Sequence, residues 1–518
     1  MFSNPLAVHS GASHKFVNSL TVPMRYPDFR RSLREDGLVV LSAEIPSDLL
    51  TPASVFLRLG GDRAASSFLF ESVETGGAIG RYSFIGVGPA EIVQAGESGG
   101  THWVGKRPRA ITIDELPQIL RSRLSTRRMS TSEADAGGLS GGWIGYFGYD
   151  WVRTLERLPS KAPDTIGHPW AQLGLYDEVV VFDHLYQTAK INLTVRGSVD
   201  SIPVDARQAY ERAARRLEKT IRLLSRPQML PRLLPATPRP IRSNMTPRVF
   251  MDGVKTIKRH IARGDIFQCV LSQRFMVDGP VKPFDVYRRL RRANPSPYLY
   301  FLKFGGLAIA GSSPETLVRK IGNRVTTRPI AGTRPRGSDR AQDIQLERQL
   351  LASAKENAEH LMLVDLGRND LGRVCRPGTV TTPEFRRVDR FSHVMHMVSV
   401  VEGKPRTNVD AIDVLAATFP AGTVTGAPKI RAMEIIDAVE PERRGVYAGC
   451  VGYIDWWGNL DTAIAIRTAV MDRHGSYAQA GAGIVADSDP LREYRETQNK
   501  AEAPLLSLGG VWKRGARL

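Results

Sequence analysis

Residues 226–245 read RPQMLPRLLPATPRPIRSNM, with five prolines in twenty positions. Each proline fixes φ and removes a backbone donor, so neither a helix nor a central strand runs through this stretch. It is the clearest linker in the chain. It separates an N-terminal region, 36–225, from a C-terminal one, 246–508, and leaves 1–35 as a disordered arm and 509–518 as a tail. A chain of 518 residues exceeds one ordinary core, so two lobes are expected.

The N-terminal region reads as strand-rich, opening with GLVVLSAEI and SVFLRLGG. Two polar, Gly-rich stretches, 95–109 and 125–142, read as surface loops. Gly142, Gly145 and Gly148 sit among aromatics in GGWIGYFGYDWVR, a pattern of tight packing. Beyond the linker, Thr246 and Pro247 form an N-cap and first turn, and Phe250, Val254, Ile257 and Ile261 mark an apolar helical stripe. IFQCVLSQRFMV then reads as a strand, with Gln268 facing away from Phe267 and Cys269. The fold class is α+β, with large, mainly antiparallel sheets and flanking helices.

Glu356 and Glu359 stand three apart in ENAEHLMLVDLGRNDLGR, so a helix projects both carboxylates from one face. Glu493 and Glu496 repeat the spacing in DSDPLREYRETQNKAEA. Each pair alone reads first as a solvated helix surface. Brought together, the four would need a cation among them to stay ionised, and hard carboxylate oxygens suit Mg²⁺.

Other classes are disfavoured. The charge of +18 comes from scattered arginines without a zinc finger, RNA-recognition signature or aromatic-interleaved basic stripe, so no nucleic-acid partner is expected. No apolar run reaches transmembrane length and residues 1–20 lack a signal core, which implies a cytoplasmic protein with no membrane partner. Cys269, Cys375 and Cys450 lie far apart, which suits a reducing compartment. AGAGIVAD matches a dinucleotide fingerprint only in its glycines, because no helix pattern opens there and Pro490 interrupts. GTVTGAPK misplaces the lysine of a phosphate loop, and no cysteine lies in a nucleophile elbow. His393 and His396 have the spacing of a helical metal pair but lack a third ligand of that type.

From about residue 250 to 505 an ordered series of motifs resembles the chorismate-utilising enzymes, and most closely the anthranilate synthase large subunits. It includes GDIFQCVLSQR, AGSSPETLV, RPIAGTRPRG, ENAEHLMLVDLGRNDLGRV, DRFSHVMHMVS, FPAGTVTGAPK, GVYAGCVGYID, LDTAIAIRTAV, QAGAGIVADSDP and EYRETQNKA. LFESVE and GGWIGYFGYDWVRTLERLP resemble that subunit's first domain. The resemblance implies the chorismate-binding fold and the Mg²⁺-dependent amination of chorismate followed by loss of pyruvate.

The family's site residues carry over motif by motif. Glu359 and Glu496 would hold Mg²⁺, with Glu356 and Glu493 acting through water. Glu315 would be the general acid, His396 would serve pyruvate elimination, and Gln268 and Thr423 complete the catalytic set. Arg467, read here on the apolar strand AIAIR, would take the enolpyruvyl carboxylate with Tyr447 and the backbone of Gly481, Ala482 and Gly483, while Gly332 and Thr333 line the same pocket. Gln268 stands where water-adding relatives carry a lysine base, and Ala331 where aminodeoxychorismate synthases carry a nucleophilic lysine, so ammonia is the expected nucleophile. That ammonia would come from a separate glutamine amidotransferase subunit in a heterotetramer. Ser72, Pro297, Tyr298 and Leu299 stand at the positions of the family's tryptophan site, with Phe70 and Leu299 departing from its residue pattern. Two alternatives stand beside this reading: an enzyme that stops at 2-amino-2-deoxyisochorismate, and a catalytically idle regulatory paralogue.

Overall fold

The structure, a computed structural model, describes residues 24–72, 80–124, 138–199, 202–203, 205–226, 229, 231–390 and 394–512. Two large sheets dominate it, one of thirteen strands and one of twelve among the described residues. Pairing within them is antiparallel except where Arg239–Ser243 runs parallel to Gly510–Val511. The α+β class with mainly antiparallel sheets is therefore the observed one.

Each sheet takes strands from both sides of the linker. In the first, Ser66–Glu71 pairs with Tyr298–Phe304, placing Leu69 opposite Phe301. In the second, Gly142–Phe147 pairs with Cys450–Asp455, placing Gly145 opposite Gly452. Phe68, Tyr300 and Ile309 of the first sheet and Ile144, Tyr146 and Val451 of the second fill one apolar cluster between the layers. All six residues of Gly142–Phe147 are buried, as expected of a central strand covered on both faces.

Several sequence expectations give way. Tyr26–Asp36, within the expected arm, is a helix that buries Phe29 and Leu33, each contributing on the order of 2 kcal/mol. SVFLRLGG is not a strand: Pro52–Arg58 is a helix started by a Thr51–Ser54 capping box with proline in its first turn. Within 95–109, Gly99–Val104 and Arg107–Ile111 form a hairpin instead of a loop. The expected loop 125–142 lies outside the described residues up to 137, and Gly142 already belongs to a strand. The proline stretch ends in the strand Arg239–Ser243, whose outer neighbour is only two residues long, so Pro240 sits near a sheet edge where its missing donor costs little. The tail residues Gly510 and Val511 supply that neighbour.

Candidate active site

The site forms where the chain passes between the sheets. Its elements are β1 (Gln268–Val277), β2 (Leu307–Ser313), β3 (Thr316–Ile321), β4 (Ile330–Pro335), β5 (Val394–Gly403), β6 (Leu460–Ile464), β7 (Thr468–Asp472) and β8 (Gly475–Ile484). Three helices join them: α1 (Ala354–Gly372), α2 (Lys429–Val439) and α3 (Pro490–Leu508). β2 and β7 belong to the first sheet, β3 and β6 to the second. Glu315 lies in the β2–β3 crossover and Arg467 in the β6–β7 crossover. The two are tied by main-chain bonds from Ile464 N–H to Glu315 O (3.0 Å) and from Ser312 N–H to Arg467 O (3.2 Å).

Glu315 is only partly accessible, and burial pushes its carboxyl up to about 7, opposed by the Thr423 hydroxyl and the charge of Lys500. Thr423 donates to Glu315 Oε1 at 2.8 Å. A carboxyl poised near neutrality in a cleft has the property of a general acid.

Arg467 is not on a strand as the sequence suggested. It stands between β6 and β7 with φ 53°, a left-handed conformation that is costly for a side chain of this size and concentrates at functional sites. Its Nη1 donates to Lys500 O at 2.6 Å, and no carboxylate lies within ion-pair distance of it among the described residues. Burial lowers its pKa, with Tyr447 and Glu496 close enough to oppose the effect. A desolvated guanidinium with no carboxylate partner among the described residues has the chemistry to take an anion.

The neighbouring floor is the β1–β8 ladder. Burial raises the Tyr447 hydroxyl to about 12, and that hydroxyl is bonded to the Gly481 main chain. A Cβ at Gly481 would lie 2.7 Å from it, so only glycine permits the approach. Gln268 is buried, its Nε2 lies over Gly483, and its Oε1 has no hydrogen-bond partner among the described residues. Ala482 faces the other way. Its side chain packs with Cys269 and Leu271. Gly481 O accepts from Lys500 Nζ and Val270 N–H donates to Thr425 O, so both point away from the β1–β8 ladder. Ladder alternation therefore turns the Ala482 N–H toward β1 and leaves Gly481 and Gly483 facing the site.

His396 on β5 sits opposite Thr333 on β4. Its Nδ1 lies 3.2 Å from Gly332 O and 3.0 Å from the Thr333 hydroxyl, which assigns the ring proton to Nδ1. Burial lowers its pKa, opposed by the bond to Gly332 and reinforced by the charge of Arg467, which favours the neutral imidazole. A Cβ at Gly332, whose φ is 69°, would lie 3.0 Å from Glu356 Oε2, which links this residue to the carboxylates.

Both glutamate pairs lie on helices as expected. Ser353 caps α1, and Asp489 with Pro490 opens α3, so Pro490 begins a helix instead of interrupting one. The dinucleotide reading still fails, because the strand before α3 is antiparallel. Glu359 has a raised pKa from burial and then from the negative charges of Glu356 and Glu496. Glu493 is raised by burial and, more weakly, by Glu496. Arg334 lies 3.2 Å from Glu356, and Lys500 lies 2.6 Å from Glu496. No group of three or more His, Cys, Asp or Glu at metal-holding range exists among the described residues. The donor chemistry nevertheless fits Mg²⁺, which takes one or two carboxylates and keeps several waters, because Glu356 and Glu496 lie close enough to raise the Glu359 pKa, a repulsion that a cation would relieve.

Sequence reasoning missed Lys500 and Arg334. Lys500 was signalled by its i+4 spacing from Glu496 on the acidic face of α3. Lys429, the lysine of GTVTGAPK, is paired with Asp370 at 2.9 Å. His393 lies outside the described residues.

The expected tryptophan-site residues form a separate group. Leu299 is buried opposite Glu71, the residue before Ser72, across the strand pair that joins the two chain halves. The Tyr298 hydroxyl lies 2.9 Å from Thr316 Oγ1 and donates to Asp461 Oδ1 at 3.1 Å. Pro297 is buried beside it, and the buried Ser72 Oγ has no hydrogen-bond partner among the described residues.

Residues 66–506 match the family described as chorismate binding enzyme. The chain is 44% identical over 495 residues to anthranilate synthase component 1 of Mycolicibacterium smegmatis, covering 93% of each chain. It is 45% identical over 487 residues to anthranilate synthase component 1 of Aquifex aeolicus, covering 92% of this chain and 96% of that one. Among solved structures it resembles anthranilate synthase component I of Streptococcus pneumoniae, with a TM-score of 0.72, 37% identity and coverage of 89% and 98%. It shares the fold of the menaquinone-specific isochorismate synthase of Escherichia coli, with a TM-score of 0.68, 21% identity and coverage of 93% and 98%.

Proposed function

The chain belongs to the chorismate-binding enzymes, and on that premise we propose how its residues perform the anthranilate synthase reaction, from chorismate and ammonia to anthranilate and pyruvate. The observation that carries the proposal is a desolvated Arg467 with no carboxylate at ion-pair distance among the described residues, one crossover away from a carboxyl with a pKa of about 7. Arg467 receives the enolpyruvyl carboxylate of chorismate, together with the Tyr447 hydroxyl and the Gly483 main chain. Gly332 and Thr333 shape the opposite wall. Glu359 and Glu496 would hold Mg²⁺, with Glu356 and Glu493 behind them. When bound, the ion supplies positive charge to the ring carboxylate.

Protonated Glu315 gives its proton to the departing C4 hydroxyl as ammonia adds at C2, and the Thr423 hydroxyl then stabilises the carboxylate it leaves. The Gln268 amide cannot deprotonate water, and its Oε1, which has no partner among the described residues, accepts a hydrogen bond from ammonia instead. Neutral His396 then removes the C2 proton. The C–H electrons complete the aromatic ring, the C3–O bond breaks, and the enolpyruvate released becomes pyruvate.

The ammonia comes from a separate glutamine amidotransferase subunit in a heterotetramer, a reading supported by the words "component 1" in the names of the relatives. Tryptophan bound at Ser72, Pro297, Tyr298 and Leu299 inhibits the reaction. The setting is the cytoplasm, in keeping with three unpaired cysteines and with no helix among the described residues long and apolar enough to cross a membrane. The test is nitrogen source. The chain alone should consume chorismate with ammonium but not with glutamine, and should use glutamine once an amidotransferase is added. Turnover with glutamine by the chain alone would contradict this.

A further inference from the structure

Behind the substrate-facing residues lies a buried ion pair that the mechanism above leaves without a task. Arg444 and Glu440 are 1% and 5% exposed. Arg444 meets the Glu440 carboxylate through Nε at 2.9 Å and Nη2 at 2.6 Å. Its other bonds go to main-chain carbonyls of two different segments: Nη1 to Val424 O at 2.7 Å and Nη2 to Val270 O at 2.8 Å. Val424 follows Thr423, whose hydroxyl holds Glu315, and Val270 pairs with Gly483. The same guanidinium lies 5.5 Å from the centre of the Tyr447 ring. Glu440 in turn accepts from the N–H and hydroxyl of Ser272, each at 2.8 Å, and Ser272 is the ladder partner of Gly481.

A buried ion pair seldom adds net stability, since well-packed apolar residues do as well or better in its place. What a guanidinium provides is a rigid planar fork with donors in fixed directions. Here that fork joins the turn that carries Thr423, the strand that carries Gln268, and the ring of Tyr447. We infer that Arg444, locked by Glu440, is a positioning residue that keeps the Thr423 turn in register with the glycine face and Tyr447, and so aligns the proton donor with the carboxylate site. The inference rests on the function proposed above. Lysine cannot replace the fork, because one ammonium group cannot reach Glu440 and both carbonyls in these directions.

Two variants test it: Arg444→Lys, and Glu440→Gln combined with Arg444→Met, which removes both charges while glutamine still accepts from Ser272. Each is made alone and with Thr423→Val, with folding checked by circular dichroism and thermal melting. Misplacement on the scale of about 1 Å should lower kcat by about 10- to 100-fold. In the Thr423→Val background the Arg444 change should cost less than about threefold more, because both act through one contact. If the paired variant does not fold, Arg444→Lys, which keeps the charge against Glu440, decides the cycle.

Amide exchange at Val270, which donates to Thr425 O at 2.8 Å, reports docking of the turn without turnover. It should speed about tenfold or more in Arg444→Lys, in the manner of a local opening. A folded variant with kcat within about twofold of the parent, losses that multiply with Thr423→Val, or unchanged exchange at Val270 would each overturn the inference. An inactive parent with accelerated exchange would fault the reading of the reaction and leave the positioning role standing.

Discussion

Replacing Glu315 with glutamine should stabilise the protein at alkaline pH while destroying its activity. Burial lifts this carboxyl from 4.5 to about 7. Between those values the folded protein keeps a proton that the unfolded chain has released. The unfolded state therefore binds fewer protons there, and stability falls as pH rises through that window. A difference of 7 − 4.5, or about 2.5 units, corresponds to on the order of 3 kcal/mol acting against the folded state above pH 7. Glutamine preserves the shape, still accepts from Thr423 and does not ionise. Urea unfolding should thus find variant and parent alike at pH 4.5, with the variant more stable by about 2–3 kcal/mol at pH 8. Its kcat should drop by at least about 10²-fold, and in the parent kcat should fall as pH rises past 7. A variant no more stable than the parent at pH 8, or equally stabilised at pH 4.5, would mean that burial does not hold this carboxyl neutral. The acid role would go with it.

Arg467→Gln should raise KM for chorismate about 10- to 100-fold without loss of thermal stability, since it removes a desolvated charge with no carboxylate at ion-pair distance among the described residues. A KM within about threefold of the parent would place the anion elsewhere. Without substrate, Mg²⁺ should raise the melting temperature of the parent but not of Glu359→Gln or Glu496→Gln, and an undiminished shift in these variants would remove them from the metal site. Ser72→Ala should need at least about tenfold more tryptophan for half inhibition at unchanged stability, because its hydroxyl has no partner to lose among the described residues. Unaltered inhibition would sink that assignment.

Local chemistry was readable where neighbours in sequence are neighbours in space. The Thr246–Pro247 cap opens the helix Pro247–Ala262, with Phe250, Val254 and Ile257 buried as its stripe demands, and both glutamate pairs share helix faces through i, i+3 spacing. Errors arose where a local signal has two meanings. Proline breaks a helix interior but opens a first turn, so Pro490 reads as an interruption where it begins a helix. Apolar flanks made Arg467 look like a strand residue, and nothing local reveals that the chain changes sheets there. Glu440 and Arg444, in VEPERRGVY, look like surface charges, and only the packing of β1 and the Thr423 turn around them buries the pair. Ala482 was grouped with its glycine neighbours until the ladder assigned its face. The motif series identified the family, whereas the crossovers that assemble the site needed three dimensions.

The most direct test of the whole account is product stoichiometry from the purified chain alone, given chorismate, Mg²⁺ and ammonium at mildly alkaline pH. Anthranilate, followed by its fluorescence, and pyruvate should appear in equal amounts. A non-fluorescent amine without pyruvate would contradict the elimination assigned to His396, and no product even with an amidotransferase and glutamine would contradict catalysis at this site altogether.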